Sequence, residues 1–117
     1  MSRYLKINVK SESMIGIGKY QFEGPWRIEN IDLLDRACVY AILCESGDRY
    51  TIVYIGETGQ IGTRLSTHHR RDCWRKNCST SLYVAIYWTP SDQYLPEKRR
   101  EIERELIDRY DPPCNRQ

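Results

Sequence analysis

No stretch of the 117-residue chain approaches the ~20 consecutive apolar residues needed to cross a bilayer. The opening Met1-Ser-Arg-Tyr-Leu-Lys6 also lacks the apolar core of a secretory signal. Together these absences predict a soluble, cytoplasmic protein with no membrane partner. There is no internal repeat and no low-complexity run. Basic residues barely outnumber acidic ones, 18 against 16, for a net charge of +2. That falls short of a purely electrostatic nucleic-acid binder. Phenylalanine occurs once, but nine Tyr and three Trp replace it, within a hydrophobic content of 40%. Such a composition excludes a disordered tail, and the length predicts one domain with a real core.

Five cysteines (Cys38, Cys44, Cys73, Cys78 and Cys114) form an odd set without a secretion signal. Reduced thiols are the expectation, with Cys38 and Cys44 as small buried hydrophobes of an apolar run. His68, His69, Cys73 and Cys78 offer two imidazoles and two thiolates, so structural zinc is a minor alternative; no CxxC pair supports it. Charge is distributed unevenly. From Arg64 to Lys76 the chain reads RLSTHHRRDCWRK, with five Lys/Arg, two His and only Asp72 opposed to them. A local basic patch on a near-neutral domain points to a polyanion held at one place.

Residues 1–35 read as an N-terminal extension packed on a domain spanning 36–117, because Gly16, Gly18 and Gly24-Pro25 interrupt any long element. Within the extension, Lys19-Tyr-Gln-Phe22 alternates like a short edge strand. Ala37–Cys44 and Tyr50–Ile55 are strand-like runs around Ser46-Gly47-Asp48, which predicts an antiparallel hairpin. A helix follows from Gln60, Leu82–Trp88 is a third strand, and Pro96 opens a helix that stops before Pro112-Pro113. The order ββαβα predicts an α+β fold with a small, mostly antiparallel three-stranded sheet flanked by helices.

Three constellations carry chemistry. If the helix after Gly59 runs through residue 75, Arg64, His68, Arg71 and Arg75 fall on one face at i, i+4, i+7 and i+11. Such a stripe is either a solvated basic face or the seat of an anion. Glu103 precedes Leu106, Ile107 and Tyr110 by three, four and seven residues, placing a carboxylate on an apolar face. It requires a cation or hydrogen bonds there. Tyr40 and Tyr54 lie on adjacent strands, as core rings or as convergent hydroxyls.

Over residues 37–115 the chain resembles the GIY-YIG nuclease superfamily. Cys38-Val39-Tyr40 stands for the first motif, with Cys38 where the family usually has Gly, a change expected to affect strand packing. Tyr54-Ile55-Gly56, followed by Glu57-Thr58, stands for the second. Arg64 follows Gly56 by eight residues and His68 follows Arg64 by four. Glu103-Arg-Glu-Leu-Ile107 through Pro112-Pro-Cys-Asn115 matches the closing motif.

The resemblance implies an endonuclease that hydrolyses DNA phosphodiester bonds with one divalent cation, Mg²⁺ or Mn²⁺, on Glu103. It implies that Arg64 grips the scissile phosphate. Tyr40, or else Tyr54, would be the general base if cations lower its pKa from about 10. His68 would relay a proton or hydrogen-bond that tyrosine, and Asn115 would orient the site. Arg70, Arg71, Arg75 and Lys76 would hold backbone phosphates while Trp74 stacks a base. The alternative is a nucleic-acid-binding module of the same fold that does not cut. With so little chain left over for target choice, a homodimer mate or a targeting partner is a further expectation.

Overall fold

In the computed structural model, residues 13–116 are described. The predicted hairpin is its centre. β3 (Cys38–Ser46) and β4 (Arg49–Thr58) pair antiparallel from Cys38↔Thr58 to Ser46↔Arg49. Gly47, at φ 64°, adopts the left-handed conformation that this tight turn needs. β5 (Leu82–Trp88) pairs antiparallel with the other side of β3.

The sheet has five strands, not the three expected. β1 (Met14–Ile17) and β2 (Tyr20–Arg27) form a second hairpin, and β2 pairs with β5, giving the order β1-β2-β5-β3-β4. Gly24-Pro25 read as a break in sequence. The strand instead passes through it with a register shift between Glu23 and Trp26. Pairing with β2 also removes the open edge that β5 would otherwise present.

The helix expected over residues 60–75 is two short helices, α1 (Ile61–Ser66) and α2 (Arg71–Lys76). The Ser66 and Thr67 hydroxyls donate to the Thr63 carbonyl at 2.9 and 3.1 Å, and these local bonds accompany the end of α1. The four-residue basic stripe is therefore not formed; His68 sits in the loop between the helices. α3 (Pro96–Tyr110) starts with Pro in its first turn and ends at Asp111 in the left-handed conformation, φ 47°.

Helices cover both faces of the sheet, which explains the unbroken apolar run of β3. Cys38, Tyr40, Ile42, Tyr54 and Val84 pack with Ile61, Leu65 and Trp74 of α1 and α2. Val39, Ala41, Leu43, Ile55 and Ala85 pack with Ile102 and Leu106 of α3. Among the described residues no helix is long and apolar enough to cross a membrane.

Four cysteines are paired, correcting the expectation of reduced thiols. Cys44 on β3 bonds Cys78, and Cys73 on α2 bonds Cys114; Cys38 alone is free, and buried. A helix of six residues does not hold itself together in water. These two bonds and the Trp74 indole fasten α2 to the domain. With Cys73 and Cys78 bonded elsewhere, the His68–His69–Cys73–Cys78 zinc grouping is not formed.

Candidate active site

Tyr40 on β3 lies directly across from Gly56 on β4. A Cβ at Gly56 would stand 2.5 Å from both Cζ and Oη of Tyr40. Glycine is thus what allows the Tyr40 ring to lie over the neighbouring strand. Tyr54 precedes Gly56 by two residues on the same face, with its ring centroid 6.1 Å from that of Tyr40. Both rings are buried. Cys38 shares this face and is packed within the same core cluster.

His68 closes over the two tyrosines. It is buried, its Nε2 lies 2.7 Å from Tyr40 Oη, and its ring sits 5.0 Å from Tyr54 and 4.5 Å from Trp74. Its Nδ1 accepts the Arg70 backbone N–H at 3.0 Å. Burial, with Arg64, His69, Arg71 and Arg70 around it, pushes the His68 pKa down to about 3. At neutral pH the imidazole is uncharged with Nδ1 occupied as an acceptor, so this pattern assigns the proton to Nε2. His68 therefore donates to Tyr40. It does not present the free acceptor that a proton relay from Tyr40 requires.

Arg64 approaches the same hydroxyl from α1. That helix is anchored by Asp35, whose carboxylate accepts the Thr63 N–H at 2.6 Å and the Thr63 hydroxyl at 2.7 Å. At Gly62, one residue before Thr63, a Cβ would stand 2.3 Å from the Leu33 carbonyl oxygen, so the loop before β3 fits tightly against α1. Half-buried Arg64 also reaches His69 Nδ1 at 3.4 Å. Burial, reinforced by Tyr54, pushes the Tyr40 hydroxyl well above its ordinary pKa, and Arg64 pulls it partly back. Burial and then Glu103 push Tyr54 up as well. The expected downward shift by cations is outweighed by burial at both tyrosines.

Glu103 belongs to α3, which covers the opposite face of the sheet; it accepts the Glu57 backbone N–H of β4, and its charge acts on Tyr54. Burial and the neighbouring Glu57 push its carboxyl up to about 7, opposed by Arg104, by the Glu57 backbone amide and by Arg100. Glu57 itself pairs with Arg99 of α3 at 2.5 Å, their side chains only 20% and 12% exposed. Neither residue was anticipated. The signal was present: on a strand, Glu57 shares the Ile55 face that looks toward α3, and Arg99 precedes Glu103 by one helical turn.

Asn115 grips β4 between Tyr54 and Gly56. Its side chain accepts the Ile55 N–H at 2.9 Å and donates to the Ile55 carbonyl at 2.8 Å, as another strand's backbone would. The adjacent Cys114 carries the bond to Cys73. The remaining candidates are placed differently. Trp74 is fully buried against His68 and Tyr54, so it leaves no face on which a base can stack, contrary to expectation. Arg70 stays beside His68. Arg71 donates to the Leu65 carbonyl at 3.0 Å, and exposed Arg75 lies 3.6 Å from Asp72; Lys76 is exposed.

The arrangement has two halves. One is a buried phenol flanked by an imidazole donor and a guanidinium; the other is a carboxylate incompletely balanced in its own surroundings. No family profile and no curated protein matches the chain. Among solved structures it is similar to two of the GIY-YIG N-terminal endonuclease domain of UvrC from Thermotoga maritima, both point mutants bound to the catalytic divalent cation. They are 16% and 15% identical to it, each with a TM-score of 0.52 over 72% of this chain and 87% of the other. Over that 72% of its length the chain has the fold of GIY-YIG endonuclease domains.

Proposed function

We propose that the protein is a metal-dependent endonuclease that hydrolyses DNA phosphodiester bonds at this site. One feature supports the reading: Tyr40, Tyr54, Arg64 and His68 cluster on one face of the sheet, and the charge of Glu103, from the helix on the other face, acts on Tyr54. An ordinary core does not gather a guanidinium and two phenols within reach of a half-buried carboxylate's charge.

Glu103 fits a divalent cation. Its carboxyl is raised by burial and by Glu57, so a bound Mg²⁺ or Mn²⁺ offsets a charge that the protein balances only in part. Such an ion, when bound, polarises the phosphate and stabilises the leaving oxygen. The chain's own groups supply the rest. Arg64 presents a permanently charged planar fork to the phosphate as negative charge builds on it. Tyr40 receives the His68 Nε2–H and faces the Arg64 guanidinium. Two donors directed at one oxygen offset part of the burial that holds Tyr40 as a neutral phenol, and so lower the cost of reaching the phenolate, the form that takes a proton from an attacking water. Tyr54 lines the same wall, and Asn115 holds β4 in register beneath it. Arg70 adds positive charge beside His68, and exposed Lys76 adds it at the end of α2. Target choice rests on a second copy or a targeting partner.

The test is nicking of supercoiled plasmid with Mg²⁺, Mn²⁺ or a chelator. Nicking with either ion, its loss in chelator, and a loss of about a hundredfold in Arg64→Ala support the reading. Metal-independent nicking, or equal rates in wild type and Arg64→Ala, refute it.

A further inference from the structure

Arg71 and Arg75 lie one turn apart on α2, and Arg27 at the end of β2 faces them across a cleft of about 370 Å³. Thr80 and Ser81, leading into β5, and buried Trp74 complete the walls. Two guanidinium groups at i and i+4 repel each other, and a third across the gap strengthens the positive field. Nearby carboxylates neutralise it poorly. Glu29, which itself lines the cleft, accepts from Arg27 Nη2 at 2.8 Å and Nε at 3.1 Å, and Asp72 approaches Arg75 at 3.6 Å, but their side chains are 64% and 92% exposed. Such pairs are weak and exchange readily with water.

Among the described residues Arg71 has no carboxylate partner. Its guanidinium is held by the Leu65 carbonyl and lies 5.9 Å over the Trp74 ring, so it is oriented in advance. The cleft is separate from the candidate metal site, yet the two share a wall. Trp74 lines the cleft and packs 4.5 Å from His68.

We propose that this cleft is a second, phosphate-binding site, which grips the nucleic-acid backbone away from the bond being cut. The proposal rests on the nuclease reading for the identity of its ligand. It adds Arg27, from the N-terminal hairpin, to the substrate contacts. It also gives Arg71 and Arg75, expected from the sequence to hold backbone phosphates, a defined cleft in which to do so. Three guanidinium groups around one cleft, each with N–H donors beyond those given to Glu29 and the Leu65 carbonyl, suit phosphate oxygens.

The test measures binding of a short DNA duplex across a salt series in chelator, with Arg27→Gln, Arg75→Gln and their combination. Arg109→Gln, an exposed arginine near the end of α3 and outside the cleft, controls for net charge. Each cleft substitution is expected to lower the salt slope by about 0.9 and weaken binding about five- to tenfold near 0.1 M salt. Slopes indistinguishable from that of Arg109→Gln overturn the cleft. If the wild type binds no duplex, the nuclease reading has failed, and inorganic pyrophosphate then decides the cleft on its own. Shifts of the arginine side-chain resonances on adding pyrophosphate, lost in Arg27→Gln, sustain it. Their absence in the wild type overturns it.

Discussion

Replacing Gly56 by alanine isolates the contact on which the whole tyrosine arrangement depends. The new Cβ would lie 2.5 Å from Cζ and Oη of Tyr40 and 2.9 Å from Cε1, all closer than real Cβ contacts approach. Gly56 carries no positive φ, so the effect is steric and owes nothing to backbone strain. The ring end must retreat by roughly an ångström, at an overpacking cost of about 1–3 kcal/mol. That retreat breaks the 2.7 Å contact between Tyr40 and His68. Turnover is expected to fall about a hundredfold, the scale of a 1 Å misplacement at a reacting group. Urea unfolding and nicking assays on the same preparations read both effects. The decisive comparison is a double-mutant cycle with Tyr40→Leu, which removes the atoms that clash. In that background Gly56→Ala should cost about 1–3 kcal/mol less than in the wild type. Equal costs in the two backgrounds refute the steric reasoning.

Three further outcomes follow from the same structure. Asn115→Ala removes both bonds to Ile55 and should destabilise the domain by about 1–3 kcal/mol in urea unfolding, because it strands a part-buried N–H and C=O of β4. His68 is held neutral in the fold with its pKa lowered to about 3, so the unfolded chain binds the extra proton; stability should fall as pH drops from about 6.5 toward 3, and less steeply in His68→Asn, as thermal melts across pH will show. The unfolded, unreduced chain should titrate a single thiol, that of Cys38, and reduction should lower stability by about 3–4 kcal/mol for each bond broken singly, since the pairs span 34 and 41 residues.

Much of this was legible where one residue's neighbours in sequence are also its neighbours in space. The β3–β4 hairpin follows from two β-branched, aromatic runs around Gly47, and α3 from Pro96 and its apolar spacing. Among the residues that the motif spacings singled out, Tyr40, Tyr54, Arg64 and His68 lie together on one face of the sheet, and Glu103 lies on the helix that covers the other. The misreadings arose where distant contacts overrode local pattern. Gly24-Pro25 looked like a stop, but pairing with β5 carries β2 through it. A basic helical stripe looked continuous until the Ser66 and Thr67 hydroxyls turned back on Thr63. Trp74 was expected from the resemblance to stack a base, whereas the Cys73 bond and the His68 ring hold it inside. Cysteine pairing joins residues 34 and 41 positions apart, which no local pattern reveals. Glu57 was readable from strand alternation alone, once a helix was known to cover that face.

The most direct measurement is single-turnover cleavage of duplex DNA by wild type and Glu103→Gln across a Mg²⁺ series, with duplex affinity in chelator measured alongside. Glutamine keeps the shape of the side chain and removes the charge that holds the cation. Metal-dependent cleavage by the wild type, abolished in Glu103→Gln while duplex affinity in chelator is retained, is the predicted result. Cleavage by Glu103→Gln at the wild-type rate and with the wild-type Mg²⁺ dependence would contradict it.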